Sequence, residues 1–247
     1  MDIVLCGAWG RMGREMASEI ARSKDARIVA AVDKKLPIMD CPCYENIGEV
    51  MESADVIVDF SHHGNTYALV DAAVSRGLPL VVATTGQNDE ERAYIEDAAK
   101  HIPVFFCGNM SLGVALFVAM TARVARTFPY ADVEIIETHH KGKVDSPSGT
   151  ALMIASAVKE AQGAHGRIVI GERDGARQKG DIGISSVRIG NVVGEHEVRI
   201  NTGFQTITLK HEAHSRAIFA IGAMHAIRFI VGKENGLYSV KNFLDET

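Results

Sequence analysis

The chain opens with a short apolar strand that runs directly into a glycine turn and a helical pattern. The strand pattern covers residues 3–6, and residues 7–13 read Gly-Ala-Trp-Gly-Arg-Met-Gly. A second apolar run, residues 28–32, is closed by Asp33, twenty positions after Gly13. Strand, glycine turn, helix, strand and acid, in this order and spacing, are typical of a βαβ unit that binds a dinucleotide. Such a unit requires an α/β fold with a parallel sheet.

The three glycines of the turn have separate roles in such a unit. Gly7 permits the tight turn, Gly10 lets a phosphate approach the main chain, and Gly13 lets the helix pack closely on the strand. The spacing G-x-x-G-x-x-G is weak evidence alone, and the strand, helix and acid around it carry the prediction. Arg11 either reaches the phosphates or is a solvated arginine at a helix start. We expect cofactor contacts from six residues of the turn: Gly7, Ala8, Trp9, Gly10, Arg11 and Met12.

Asp33 is predicted to set the choice of dinucleotide. Its carboxylate can accept hydrogen bonds from the adenosine ribose hydroxyls, which favours NAD(H), and it repels a 2′-phosphate. Lys34 and Lys35 follow immediately. Either ammonium group could neutralise such a phosphate, although both lysines could equally belong to an ordinary exposed turn. The sequence therefore predicts use of both NADH and NADPH, or a preference for NADH, with cofactor contacts from Asp33 and Lys34.

Length and charge limit the class of protein. The 247 residues, 47% of them hydrophobic, can bury a substantial core in one large or two modest domains. The net charge of −5 gives no general attraction to nucleic acid, so no nucleic-acid partner is expected. No apolar stretch approaches the length of a membrane span, and a strand begins at residue 3 where a signal peptide would lie. We expect a cytoplasmic protein with no membrane partner, whose four cysteines are reduced and structural.

Strand and helix patterns alternate through the first half of the chain. Apolar strands are predicted at residues 56–59, 80–83 and 104–107, with helices between them. This alternation predicts a doubly wound parallel sheet, whose ligands bind at the carboxyl ends of the strands. The loops at those ends could be simple connections, but together they favour a wall for the nicotinamide. The predicted cofactor contacts here are Ala83, Thr84, Thr85, Cys107, Gly108, Asn109 and Met110.

The pattern changes in the second half, where strand-like runs follow one another with less helix between them. This indicates a second, α+β domain with a mixed or antiparallel sheet. Residues 216–231 are strongly apolar and helical, and such a late helix can return to the first domain. We therefore expect a dinucleotide-binding domain of residues 1–109 and 216–247, and a substrate domain of residues 110–215.

A dense polar run, residues 138–150, lies inside the predicted substrate domain. A helix start preceded by Ser148, Gly149 and Thr150 offers N–H groups and hydroxyls that suit a carboxylate. His139, His140 and Lys143 supply positive charge and transferable protons near neutral pH. The run predicts a site for a dianionic small molecule. Adjacent histidines could also bind a metal ion, but the run has no third ligand at a suitable spacing, so no metal is expected. The other alternative is a solvated loop that contains histidines by chance.

Residues 134–151 (EIIETHHKGKVDSPSGTA) resemble the signature of the dihydrodipicolinate reductase family, also called 4-hydroxy-tetrahydrodipicolinate reductases, of the diaminopimelate route to lysine. The resemblance extends over nearly the whole chain. It includes residues 59–61, 84–86, 109–114, 193–196 and 232–238, as well as the glycine turn. The chain departs from the family pattern at Trp9, where glycine is common, and at Met110, where an aromatic residue is common.

The resemblance implies a specific reaction. A nicotinamide would deliver hydride to position 4 of a small cyclic imine dicarboxylate, and the hydroxyl group would leave as water. By analogy, His139 is a proton donor or acceptor, and Lys143 donates a proton and stabilises the developing charge. The resemblance also implies a homotetramer built through the sheet of the second domain. The substrate carboxylates would be bound by His140, Ser148, Gly149 and Thr150.

Two other classes of protein share parts of this pattern. Another NAD(P)-dependent dehydrogenase would need a nucleophilic cysteine or a different base in the second domain, and no cysteine follows Cys107. A non-catalytic NAD(H) sensor would not need the cluster of histidine, lysine and Ser-Gly-Thr.

Overall fold

The computed structural model describes residues 1–36, 38–163, 166–172 and 175–245. The chain forms two compact units, and the first combines Met1–Leu112 with the segment that starts at Arg216. The second unit is Gly113–Ser215. Of the helices in the described ranges, none combines the length and the apolar character that a membrane crossing needs.

The helices and strands follow in this order: β1 (Asp2–Cys6), α1 (Arg11–Arg22), β2 (Arg27–Val32), β3 (Cys43–Tyr44), β4 (Val56–Asp59), α2 (Thr66–Arg76), β5 (Leu80–Val82), α3 (Asp89–Ala98), β6 (Pro103–Phe106), α4 (Leu112–Thr127), β7 (Asp132–His139), α5 (Gly149–Ala161), β8 (Ile168–Ile170), β9 (Ile182–Arg188), β10 (Gly194–Asn201), β11 (Thr206–Ala213), α6 (Ala217–Ile230), β12 (Gly236–Tyr238) and α7 (Val240–Asp245).

The first unit is built on a seven-stranded parallel sheet in the order β12-β6-β5-β4-β1-β2-β3. Every residue of β4 and β5 is buried, as expected of parallel strands covered by helices on both faces. The order reverses direction at β1, because β2 lies on one side of it and β4 on the other. The doubly wound α/β fold predicted from the alternation of strands and helices is confirmed.

Helix α6 packs against α1 and the sheet of this unit. Gly222, in α6, allows a close approach to the loop after β6, because a Cβ atom there would lie 1.7 Å from the carbonyl oxygen of Met110. The late apolar pattern is therefore a helix that covers the first sheet.

The second unit contains a five-stranded sheet in the order β11-β10-β7-β9-β8. The pairs β10–β11 and β10–β7 are antiparallel, whereas β7–β9 and β8–β9 are parallel, so the predicted mixed sheet is confirmed. Burial alternates along β7, and its inward residues are Val133, Ile135, Glu137 and His139. Helix α5 packs on β7 and β9 and completes an apolar core with them. The side chains of Glu137 and His139 therefore face the same side of β7 as the core residues Val133 and Ile135.

Candidate active site

Two glycines of the first turn occupy positions where a side chain does not fit. Gly7 has φ +75°, and a Cβ atom there would lie 2.5 Å from the carbonyl carbon of Phe60. A Cβ atom on Gly13 would lie 2.0 Å from the carbonyl oxygen of Gly7. The close approach of helix to strand predicted for Gly13 is therefore present in the structure.

The start of α1 presents main-chain N–H groups beside this turn. The N-cap residue is Gly10, whose lack of a side chain leaves the helix end uncapped. The intrahelical series begins with the N–H of Arg14, which donates to the carbonyl of Gly10 at 3.1 Å. The N–H groups of Arg11, Met12 and Gly13 precede it and have no acceptor within the helix, and Arg11 and Trp9 are exposed beside this helix start. This arrangement suits a pyrophosphate and fits a dinucleotide cofactor.

Asp33 follows β2, the strand next to β1, and its carboxylate faces the glycine turn. The Oδ2 atom accepts a hydrogen bond from the N–H of Trp9 at 3.0 Å, and Oδ1 accepts one from the N–H of Lys35 at 3.0 Å. A carboxylate oxygen has two acceptor sites, so each oxygen can still accept a ribose hydroxyl. Lys34 and Lys35 are exposed beside it.

The other predicted cofactor residues lie in loops at the carboxyl ends of β5 and β6. A Cβ atom on Gly108 would lie 3.0 Å from Cγ2 of Thr85, so the two loops are neighbours. The Cys107 thiol donates to the carbonyl of Asn109 at 3.0 Å, and burial raises the pKa of that thiol. Ala83 and Thr84 follow β5 directly, and Thr84 and Met110 are buried. The structure thus brings Thr85 and Gly108 together, whereas the side chain of Met110 is buried.

In the second unit, a fully buried carboxylate anchors the predicted proton-transfer residues. Glu137 accepts two hydrogen bonds from Arg188, at 2.9 Å and 2.7 Å, and one from the N–H of Ser148 at 3.2 Å. It also contacts Nδ1 of His139. Burial raises the pKa of the Glu137 carboxyl, but its hydrogen bonds, led by those from Arg188, outweigh this and lower the pKa to about 2. Glu137 is therefore an anion at physiological pH.

His139, in the polar run of the sequence, ends β7 and is buried. Burial lowers the pKa of its imidazole below the usual value, and Glu137 opposes this only in part. Its ring makes an edge contact with the ring of His196, with 5.3 Å between the centroids. The imidazole is therefore held firmly at the carboxyl end of the strand.

Ser148 links the polar run to the sheet. Its hydroxyl caps α5 by accepting the N–H of Ala151 at 3.1 Å, and it lies 3.0 Å from Nε2 of His196. Burial lowers the pKa of His196 to about 4, so this imidazole is neutral. Both the hydroxyl and the N–H of Ser148 are thus occupied within the protein, and they hold the start of α5 against β7 and β10.

Lys143 lies in the loop between His139 and Ser148. The Nζ atom of Lys143 is 2.8 Å from Oδ1 of Asp145. The main-chain N–H of Lys143 donates to the carbonyl of His140 at 3.1 Å. This ion pair with Asp145 braces the loop. His140 and Thr150 are half-buried, whereas Gly149 is exposed at the first position of α5. Within the described ranges, no three His, Cys, Asp or Glu side chains are grouped so as to hold a metal ion.

Three residues of this cluster, Glu137, Arg188 and His196, were not among the predicted site residues. Glu137 could have been found, because it stands two positions before His139 in an alternating strand and must face the same side of the sheet. Arg188 and His196 lie far along the chain, on β9 and β10. His196 belongs to residues 193–196, which carry part of the family resemblance, whereas no local pattern marks Arg188.

Comparisons with known proteins match both halves of the chain. The N-terminal family model of dihydrodipicolinate reductase matches residues 1–110, and the C-terminal model matches residues 113–244. A 4-hydroxy-tetrahydrodipicolinate reductase of Caldanaerobacter subterraneus is 38% identical over 244 residues, which cover 98% of this chain and 97% of the relative. Another, from Alkaliphilus metalliredigens, is 37% identical over the full length of both chains.

Solved structures with a similar fold were also found. A dipicolinate-bound dihydrodipicolinate reductase from Paenisporosarcina sp. TG-14 superimposes with a TM-score of 0.83 and 25% identity, over 98% of both chains. A myo-inositol dehydrogenase from Corynebacterium glutamicum, 18% identical with a TM-score of 0.61 over 96% of this chain and 90% of its own, shares the fold.

The parallel sheet and its glycine turn define the class of protein: an oxidoreductase with a Rossmann-type unit for a nicotinamide dinucleotide. Within that class, two family models and full-length relatives agree on one assignment. The chain belongs to the dihydrodipicolinate reductase family. The resemblance seen in the sequence is confirmed, and it prevails over both a different dehydrogenase and a non-catalytic sensor.

Proposed function

We propose that this protein reduces 4-hydroxy-tetrahydrodipicolinate to tetrahydrodipicolinate, with NADH or NADPH as the hydride donor, in the diaminopimelate route to lysine. The observation that carries this proposal is the match of both halves of the chain to this one family. The relative described with dipicolinate bound supports a planar ring with two carboxylates as the ligand.

The reaction has a simple balance. The nicotinamide supplies a hydride to position 4 of the ring, the hydroxyl group there leaves as water, and one proton is consumed. His139 and Lys143 are the proton-transfer residues in this proposal, because they stand together at the end of β7 and in the loop that follows it. Lys143 bears its proton as an ammonium group, held towards Asp145 at 2.8 Å. Its charge also stabilises electron density that moves to the ring nitrogen.

The substrate carboxylates are assigned to His140 and to the start of α5, at Gly149 and Thr150. A helix N-terminus favours an anion through its dipole and its main-chain N–H groups. Ser148 is assigned to the same carboxylate. Its hydroxyl and N–H also hold the helix end in place through their hydrogen bonds with Ala151 and Glu137.

The cofactor residues are assigned to the first unit. The N–H groups at the start of α1 bind the pyrophosphate, and the loops after β5 and β6 bind the nicotinamide half. Asp33 accepts the ribose hydroxyls of NADH. Lys34 and Lys35 compensate the charge of the NADPH phosphate, so both dinucleotides are used and NADH is preferred.

The assembly is proposed to be a homotetramer that forms in the cytoplasm through the sheet of the second unit. On the face of this sheet opposite α5, Val187 is 41% exposed in the single chain. Burial of such a side chain between copies is favourable, and the resemblance to the family supports the same assembly. Sedimentation velocity on the purified protein tests the assembly, and a monomer at micromolar concentration contradicts it.

The activity is tested by following NADH and NADPH oxidation while an aldol synthase generates the unstable substrate. We expect turnover with both cofactors. His139→Gln and Lys143→Ala should each lower kcat by about 10²-fold or more, the usual loss when a general acid or base is removed. Unchanged turnover in either variant removes that residue from the mechanism, and no oxidation by the wild-type protein overturns the proposed function.

A further inference from the structure

The contacts of Glu137 determine which nitrogen of His139 carries a hydrogen. A carboxylate is only an acceptor of hydrogen bonds, so its contact with Nδ1 of His139 requires a hydrogen on that nitrogen. The lone pair of the neutral ring then lies on Nε2. Gly194 lies beside this atom, and a Cβ atom there would come within 3.0 Å of Nε2.

Burial lowers the pKa of the His139 imidazole, and the charges around the ring add to this effect or oppose it. Glu137 alone would favour the imidazolium form, but Arg188 binds both of its oxygens and cancels its charge. The other groups that face the ring are the neutral His196 on β10 and the Lys143 ammonium, which is itself paired with Asp145. Apart from the cancelled Glu137, no anion thus faces the ring closely enough to stabilise a positive charge among the residues that the structure describes.

We infer that Glu137 and Arg188 are positioning residues that hold His139 as a neutral imidazole with its lone pair on Nε2, so that His139 begins the cycle as a base and Lys143 acts as the acid. This assignment rests on the proposed function and deepens it, because it divides two roles between the two proton-transfer residues.

The substrate offers such a base one proton. When water leaves, the ring carbon between the imine and the hydroxyl-bearing carbon loses a proton to Nε2, and its C–H electrons form the new C=C bond. The C–O bond breaks, and the departing oxygen takes a proton from Lys143. Hydride then adds at position 4, the C=C electrons move towards the ring nitrogen, and His139 returns its proton to the same carbon. Lys143 recovers its proton from solvent, which completes the balance of one hydride and one proton.

The test is the titration of His139 by NMR of ¹⁵N-labelled imidazoles, in the wild-type protein and in two variants with opposite charge effects. Arg188→Met leaves the Glu137 anion uncompensated, so the pKa of His139 should rise by about one unit or more. Glu137→Gln removes the anion and leaves the Arg188 cation, so the pKa should fall. The acid limb of the kcat profile should move in the same two directions.

If Glu137 and Arg188 had only a structural role, the two variants would not shift the pKa of His139 in opposite directions. Each single substitution would leave a buried charge unpaired, and both would lower the stability of the protein. The double variant Glu137→Gln/Arg188→Met removes both charges, and its His139 should titrate close to the wild-type value. An imidazolium at neutral pH in the wild-type protein overturns the inference, as does an unchanged pKa in folded Arg188→Met. Since NMR reports on His139 without turnover, these results are independent of whether the proposed reaction is found.

Discussion

Asp33→Ala is expected to reverse the cofactor preference. In the structure the carboxylate accepts the N–H groups of Trp9 and Lys35, at 3.0 Å each, and in the proposed complex it also accepts the ribose hydroxyls. Alanine removes the ribose contacts. It also frees two N–H donors at the place where a 2′-phosphate would lie, next to the ammonium group of Lys34.

The size of the effect follows from these contacts. A hydrogen bond to a charged group contributes about 1.5–3 kcal/mol, so the loss of one ribose contact should weaken NADH binding by about ten- to a hundredfold, and the loss of a second contact by more. For NADPH, removal of the carboxylate ends a repulsion of about 1 kcal/mol per unit of phosphate charge at 4 Å in water. NADPH binding should therefore be unchanged or up to about tenfold tighter.

The assay is calorimetric titration of the wild-type protein and the variant with NADH and with NADPH, at one fixed salt concentration. Asp33→Asn is the matched control, because its side chain keeps one acceptor for the turn but carries no charge. Its affinity for each dinucleotide should lie between those of the wild-type protein and Asp33→Ala. If Asp33→Ala weakens both dinucleotides equally, the carboxylate acts only by bracing the glycine turn, and the reasoning from ribose and phosphate is refuted.

Three further outcomes follow from the geometry. Gly13→Ala should abolish dinucleotide binding in a protein that still folds its second unit, because its Cβ atom would lie 2.0 Å from the Gly7 carbonyl; retained binding by calorimetry would contradict this. Ser148→Ala removes the cap of α5 at about 1 kcal/mol, so Tm should fall by about 2–4 °C in scanning calorimetry. His196 has a pKa of about 4 when folded, and the unfolded chain binds its proton near pH 6.5, so stability should fall by about 3 kcal/mol as pH drops through that window. Urea titrations at several pH values measure this slope, and His196→Gln should flatten it.

The fold of the first unit was predictable because its signals are local. A glycine turn, an acid at a fixed distance and alternating strands and helices each depend on neighbours along the chain. The capping box at the start of α3, formed by Asn88 and Glu91, is an example: its three-residue spacing predicts a helix start, and both of its hydrogen bonds are present. The sheet order and the exact ends of the strands depend on packing, and they needed the structure.

The candidate site was predictable only where its residues are adjacent in sequence. His139, His140 and Lys143 lie within one run, and their residue types mark them as acid–base groups. The role of Ser148 as a cap joined to His196 depends on a contact with a strand 48 positions later. Local propensity contains no information on such a contact, since side chains distant in sequence meet only through the register of the sheet.

Register also explains why Arg188 reaches Glu137 at all. Strand β9 runs parallel to β7 with Ser186 opposite Glu137 and Arg188 opposite His139. Side chains alternate along a strand, so Arg188 faces the same side as the buried Ile182 and Ile184 of the same strand. Those two apolar residues are held against α5 by the hydrophobic effect, and a slip of one residue would turn them, together with Arg188, to the other face. The packing of an apolar core therefore fixes the position of the cation that pairs with Glu137, the carboxylate in contact with His139. A polar substitution at Ile184 should for this reason disturb the titration of His139 although the two side chains do not share a chemical function.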